Sequence, residues 1–148
     1  MESDLILQQI LILWFMADKL LIDSCLLVAL YLSNDSQHEK SVDFFRLHEE
    51  GYGFVMLESI LRETITVIQR KGGLQLVQVF LDDLQELLDV QIISEDFSSE
   101  LSFFQRLQEP ISFFDASLLY YADLMELPLI TFDTQLKNIY IKKRYSIS

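Results

Sequence analysis

The sequence predicts an α/β domain, a three-layer α/β/α sandwich around a parallel central sheet. Three observations predict it. Short apolar runs, such as Leu20-Leu21-Ile22 and Pro128-Leu129-Ile130-Thr131-Phe132, have the continuous character of strands buried on both faces. Helical stretches separate these runs, the alternation that makes right-handed βαβ units. Only two Pro and four Gly punctuate 148 residues, which argues against extended linkers and for one domain.

In chain order, residues 1–18 stand apart as an apolar N-terminal extension, and residues 19–148 carry the domain. Leu5 to Met16 is apolar apart from Gln8 and Gln9. It is shorter than the ~20 residues of a membrane span. It has no Lys or Arg before it and no small-residue cleavage site, so it is a poor export signal. It reads as an extra helix packed on the domain or on a second copy of the chain, a homodimer. Met16 is an alternative start, because the first strand follows almost at once.

That strand, Leu20 to Ile22, stops on Asp23, and Ser24 to Leu32 continues as a helix. Ser33-Asn34-Asp35 is a turn. Ser36-Gln37-His38-Glu39 fits a capping box for a helix running to about Glu50, where Gly51 stops it. Gly53 to Leu57 is the second strand. Ser59 to Lys71 is a helix ended by Gly72-Gly73. Leu74 to Leu88 is the next, with Leu76, Val77, Phe80, Leu81, Leu84, Leu87 and Leu88 expected inside. Val90 to Ile93 is the third strand. Phe97 to Gln108 is helical up to the break at Pro110. Ser112 to Glu126 is helical, and the fourth strand then stops on Asp133. The tail, Tyr140 to Ser148, is expected to add a short edge strand.

Charge narrows the function. The net charge of -12 repels nucleic acid at long range, so a polyanionic substrate needs local cations or a metal ion. It also favours a basic partner protein. A single Cys excludes an internal disulfide and suits a reducing cytosol.

Four acids stand in unusual settings. Asp23 and Asp133 each end an apolar strand, at the sheet edge where open α/β folds bind ligands. Glu63 borders the inward face of its helix, beside Ile60, Thr64 and Val67. Asp115 lies among Phe113, Phe114, Leu118 and Leu119. Each has an ordinary alternative: a salt bridge or exposed edge for Glu63, a helix cap for Asp115 in Ser112-Phe113-Phe114-Asp115. Together they suggest a shared cluster whose mutual repulsion a divalent cation would relieve. An all-carboxylate set suits hard ions, Mg²⁺ or Mn²⁺. Zinc is disfavoured, because His38 and His48 sit on one helix that reads as exposed and Cys25 stands alone. There is no glycine-rich phosphate loop and no Ser-His-Asp arrangement.

The segments LLIDSCLLVAL, FVMLESILRETITVIQRKGG and ISFFDASLLYYADLMELPLITFD together resemble the PIN (PilT N-terminus) domain, in particular the VapC-type toxins of bacterial toxin–antitoxin pairs. The resemblance spans Lys19 to about Leu136 and rests on the order and spacing of four acids. It implies a Rossmann-like parallel sheet and a metal-dependent endoribonuclease using Mg²⁺ or Mn²⁺. Its catalytic and metal-binding residues fall on Asp23, Glu63, Asp115 and Asp133, with Ser24 and Thr131 in support. Glu58 lies outside the matched Glu-Thr segment, which is Glu63-Thr64. The implied partners are RNA and an antitoxin whose basic tail caps the acidic pocket, in the cytoplasm and away from membranes.

Arg62, Arg70 and Lys71 on the Glu63 helix are candidates for RNA contact. Lys137, Lys142, Lys143 and Arg144 in the tail are others, with a solvated end as the ordinary alternative. One departure is Cys25, where the family has Asn or Ser after Asp-Ser. A thiol is a weaker hydrogen-bonding group than an amide, but a small apolar residue at a helix start is an equally ordinary reading. Cys25 is the sequence feature that favours a rival: a PIN-like module whose catalysis has decayed, kept for binding RNA or protein. A receiver-like phosphate domain is disfavoured, because the late strand ends in Asp133 and not in Lys.

Overall fold

The computed structural model describes residues 17–48 and 51–144, with Gln8 upstream of them. The apolar run Leu5 to Met16, and with it the expected N-terminal extension and its packing, lies outside the described residues except at Gln8.

Four parallel strands form one sheet: β1 (Lys19–Ile22), β2 (Gly53–Leu57), β3 (Val90–Ile93) and β4 (Leu129–Ile130). Their spatial order is β3-β2-β1-β4. Leu21 pairs with Val55 on one side and Leu129 on the other, and Ile22 with Ile130. The two central strands are the most apolar runs. From Leu20 to Ile22 and from Phe54 to Leu57 every side chain is buried, as a strand covered on both faces requires. β3 is the edge beside β2. Its Gln91 and Ile92 are exposed, which explains why its sequence is less uniformly apolar.

Among the described residues, six helices fill the connections between these strands, and another follows β4. α1 (Ser24–Tyr31) and α2 (His38–Leu47) lie between β1 and β2, and α3 (Glu58–Gly72) and α4 (Leu74–Glu86) between β2 and β3. α5 (Phe97–Leu107) and α6 (Phe113–Leu124) lead from β3 to β4, and α7 (Thr134–Arg144) follows β4. α1 packs on α2 and α3, and α3 on α4, while α5 packs on α6 and α6 on α7. The first crossovers run from β1 outward to β3, and the last runs back past β1 to β4. Right-handed connections therefore place α1 to α4 on one face and α5 and α6 on the other. The expected three layers are present.

Local sequence explains the boundaries. α1 is apolar nearly all round and buries Leu26, Leu27, Val28 and Ala29, as a helix enclosed by neighbours must. Gly73, with φ at +88°, makes the abrupt joint between α3 and α4. Ser112 caps α6, its Oγ accepting the Asp115 N–H at 3.1 Å.

Four expectations are corrected. Gln37, not Ser36, precedes α2, and it makes no side-chain cap; Asp35 Oδ1 accepts the Gln37 N–H at 2.8 Å and makes the turn instead. Leu87 is 76% exposed because α4 ends at Glu86, one residue before the inward position recurs. β4 has two paired residues, since its only described sheet neighbour is β1. Residues 140–144 are the last turns of α7 and not an edge strand. Leu136, Ile139 and Tyr140 recur at helical spacing on its buried side. No helix among the described residues is long and apolar enough to cross a membrane.

Candidate active site

β1 is where the strand order reverses: the chain moves from it toward β3, then returns to place β4 on its other side. In open α/β sheets the crevice at such a reversal, outside the carboxyl ends of the strands, is where ligands bind. Asp23 follows β1 there, and Thr131 and Asp133 follow β4.

Asp23 is 7% exposed and held from two directions. As the residue that caps α1, it accepts the Ser24 N–H on Oδ1 at 2.7 Å. The Thr131 hydroxyl donates to Oδ2 at 2.8 Å. The Ser24 hydroxyl lies 3.4 Å from Oδ1, a longer contact. Thr131, itself buried, also accepts the Asp133 N–H on Oγ1 at 3.1 Å. Asp133 in turn accepts the Leu136 N–H on Oδ1 at 3.0 Å, which starts α7. One threonine hydroxyl thus joins the acid after β1 to the backbone of the acid after β4.

Cys25 belongs to the same network. Its sulfur accepts the Phe132 N–H at 3.3 Å and lies 3.7 Å from Thr131 Oγ1. The single Thr131 proton points at Asp23, so the thiol is the donor to Oγ1. Burial and the Asp23 charge push the Cys25 pKa up to about 12, which keeps that thiol proton in place.

The four acids sense one another. Burial raises the Asp23 pKa against hydrogen bonds from Thr131 and Ser24, and the Glu63 charge raises it further. Burial also raises Asp115, followed by the charge of Asp23; Ser112 counters this and Asp133 adds to it. Like-charge interactions therefore run from Glu63 through Asp23 and Asp115 to Asp133. Glu63 and Asp115 are half-buried and Asp133 is exposed. The two salt bridges found among the described residues, Arg62–Glu58 and Lys142–Glu109, involve none of the four. Glu58 pairs with Arg62 at 2.8 Å.

Among the described residues, no three His, Cys, Asp or Glu side chains converge tightly enough to enclose a metal ion. The donor chemistry fits a hard divalent cation all the same. Mg²⁺ usually keeps several waters and takes only one or two carboxylates directly, so wider spacing is compatible with it. His38 and His48 each place Nδ1 2.7 Å from a carbonyl oxygen, of Ala29 and Phe44, and both are half-buried where the sequence suggested an exposed helix.

The cations divide. Arg62 and Arg70 line an open groove of about 440 Å³ that also holds Glu63 and Phe114. Lys71 is exposed beyond it. Lys142 reaches Glu109 at 3.6 Å, and Lys143 and Arg144 line a separate cavity of about 290 Å³ with Asp123. Lys137 is exposed.

Two features escaped the sequence reading. Lys40 Nζ lies 5.0 Å from the centre of the ring of Phe132, the residue before Asp133; nothing in its spacing signals this long-range contact. Glu100 is only 2% exposed. It had a signal: Glu100, Phe103, Phe104 and Leu107 recur at three- and four-residue spacing, which puts this acid on the inward stripe of α5.

The PIN domain family model matches residues 20–142. The chain belongs to the PIN domain family. The assignment agrees with solved structures. The Mycobacterium tuberculosis VapC20 toxin, described as cleaving the sarcin–ricin loop, superposes with a TM-score of 0.68 at 16% identity, over 80% of this chain and 93% of that one. PAE2754 from Pyrobaculum aerophilum superposes with a TM-score of 0.58 at 20% identity, over 84% of this chain and 86% of the other. At such identities the likeness speaks for the PIN fold. No curated protein matches the chain by sequence.

Proposed function

We propose that this PIN domain is a divalent-metal-dependent endoribonuclease, the toxin of a type II toxin–antitoxin pair acting in the cytoplasm. One observation carries the reading: like-charge interactions link Asp23, which follows β1 at the sheet's reversal point, to Glu63 and Asp115, and Asp115 to Asp133, with no salt bridge among the described residues to balance them. The VapC20 likeness supports a toxin ribonuclease by analogy of fold.

Asp23, Glu63, Asp115 and Asp133 would hold Mg²⁺ or Mn²⁺, partly through water. When bound, such a cation supplies Lewis acidity, lowering the pKa of water and stabilising charge on the phosphate oxygens. The protein's own part is positioning. Thr131 and Ser24 fix the Asp23 carboxylate, so it would meet a cation without reorganising. Asp133, exposed and, among the described residues, anchored through Oδ1, would have Oδ2 available to orient an attacking water. Asp115, at the start of α6, is the second candidate for that task. An antitoxin with a basic tail would neutralise the same carboxylates with arginine.

The test is cleavage of a labelled single-stranded RNA by purified protein. Activity is expected with Mg²⁺ or Mn²⁺ and none with EDTA. Asp23→Asn keeps the shape but removes the charge, and is expected to lower the rate at least about 100-fold, within the range lost with a single electrostatic catalytic group. Undiminished cleavage by that variant would refute the assigned site. A folded wild type that neither cleaves RNA nor binds metal would leave a PIN-like binding module.

A further inference from the structure

The groove beside Glu63 differs from the rest of this acidic surface. Arg62 and Arg70 line it from α3, and Phe114 lines it from the first turn of α6. Phe114 is 46% exposed although its neighbour Phe113 packs against Phe97 and Phe104. Among the described residues Phe114 has no ring partner. Arg70 there has no ion pair, and Arg62 is tied only to Glu58, with 77% of its own side chain exposed. Glu63 and Phe114 also join the groove to the acids, since Glu63 raises the Asp23 pKa and Phe114 precedes Asp115.

We propose that this groove is a subsite for one unpaired nucleotide of single-stranded RNA: Phe114 stacks on the base, and Arg62 and Arg70 hold the phosphate next to the one placed at the acids. The inference rests on the nuclease reading and adds to it the residues that hold a nucleotide beside the acids. An exposed aromatic ring suits any base with a free face, whereas a base inside a duplex offers none. Arg70, with no ion pair among the described residues, supplies local positive charge that a protein of net charge -12 needs to hold a phosphodiester, and Arg62, its charge shared with Glu58, adds N–H donors. The same charge disfavours a basic protein tail, which the four carboxylates attract instead.

The test measures binding, with the full-length Asp23→Asn protein in Mg²⁺ and a fluorescent 12-nucleotide single-stranded RNA of mixed sequence. The single strand is expected to bind more tightly than the same sequence as a duplex. Phe114→Ala is expected to weaken single-strand binding roughly 5- to 100-fold, the range for loss of one stacked base, and Phe114→Trp to restore it. Arg70→Ala is expected to reduce the salt slope of binding by about one. Circular dichroism melts of each variant should match the parent, which separates a lost contact from lost folding. No single-strand binding by the parent would overturn the subsite, as would equal binding by the Phe114→Ala and Arg70→Ala proteins. Displacement of the RNA by an arginine-rich peptide whose own affinity falls in Phe114→Ala would overturn it in favour of a protein segment. The two readings fail separately: cleavage with an unchanged KM in Phe114→Ala overturns the subsite alone. RNA binding sensitive to Phe114, with no cleavage by the wild type, overturns the nuclease alone.

Discussion

Every hydrogen-bonding position of the Thr131 hydroxyl is taken at the candidate site. It donates to Asp23, accepts from the Asp133 backbone and receives the Cys25 thiol. Thr131→Val preserves shape but removes all three interactions, and it leaves a buried carboxylate oxygen and a backbone N–H without their partners. An unsatisfied buried group costs about 1–3 kcal/mol. A fall in Tm of several degrees is expected, at about 2–4 °C per kcal/mol for a chain of this size. Cleavage should fall as well, and Thr131→Ser should recover both in melting and RNA-cleavage assays. Cys25 is the departure from the family pattern, yet its sulfur anchors the Phe132 N–H that leads to Asp133. Cys25→Ala should therefore reduce cleavage by several-fold. The thiol-retaining wild type should resist alkylation at neutral pH, because a thiol with a pKa near 12 presents little thiolate.

At the scale of elements, the seam between α5 and α6 holds a second pair of acids. Glu100 accepts from the Tyr121 hydroxyl at 3.4 Å, and that hydroxyl accepts the Asp96 N–H at 2.6 Å. The Ser59 N–H donates to Glu95 Oε1 at 2.7 Å. The other Glu100 oxygen, buried, meets no donor. A proton on Glu100, shared with Glu95, resolves that. Burial and the hydrogen bond to Glu95 raise Glu100 from its ordinary 4.5 to about 7. Burial alone would raise Glu95, but hydrogen bonds from Glu100 and Ser59 outweigh it and lower its pKa. The signs are opposite. Between pH 4.5 and 7 the folded chain keeps a proton on Glu100 that the unfolded chain releases, so stability falls as pH rises through that window. Glu95 acts the other way, and only below its ordinary 4.5. Tm is therefore expected to be lower at pH 8 than at pH 5. Glu100→Gln, an uncharged carboxyl mimic, should flatten this difference and raise Tm at pH 8 by several degrees in thermal melts at both values. An unchanged pH dependence in that variant would locate the titrating group elsewhere.

Across the whole molecule, the four described strands, the helices α1 to α7 and all four candidate acids lie downstream of Met16. A chain beginning at Met16 is expected to fold and to keep any nuclease activity. If residues 1–15 cover apolar surface, their removal would cost about 25 cal/mol for each Å² uncovered. Several hundred Å² would rival the whole stability of a small domain. Thermal melts and gel filtration of the full and shortened chains decide between these outcomes. A large drop in Tm or aggregation would assign the segment to the core or to a subunit interface.

Continuous burial of β1 and β2 wrote itself into the sequence, because a strand covered on both faces tolerates only apolar side chains. The helices between the strands were legible for a related reason: their apolar residues recur at the 3.6-residue period. The acids after β1 and β4 stood out as charges closing apolar runs, and family resemblance placed Glu63 and Asp115 beside them. Edges were harder to read. β3 shows two exposed residues, and α7 replaced an expected strand because its buried positions depend on packing against α6 and β4. Only the tertiary structure could bring together Thr131 with Asp23, 108 positions apart, Lys40 with Phe132, and the α3 arginines with Phe114. Sequence patterns report which side of an element is buried. Which elements share an edge is decided by the order of strands in the sheet, and no local period encodes that order.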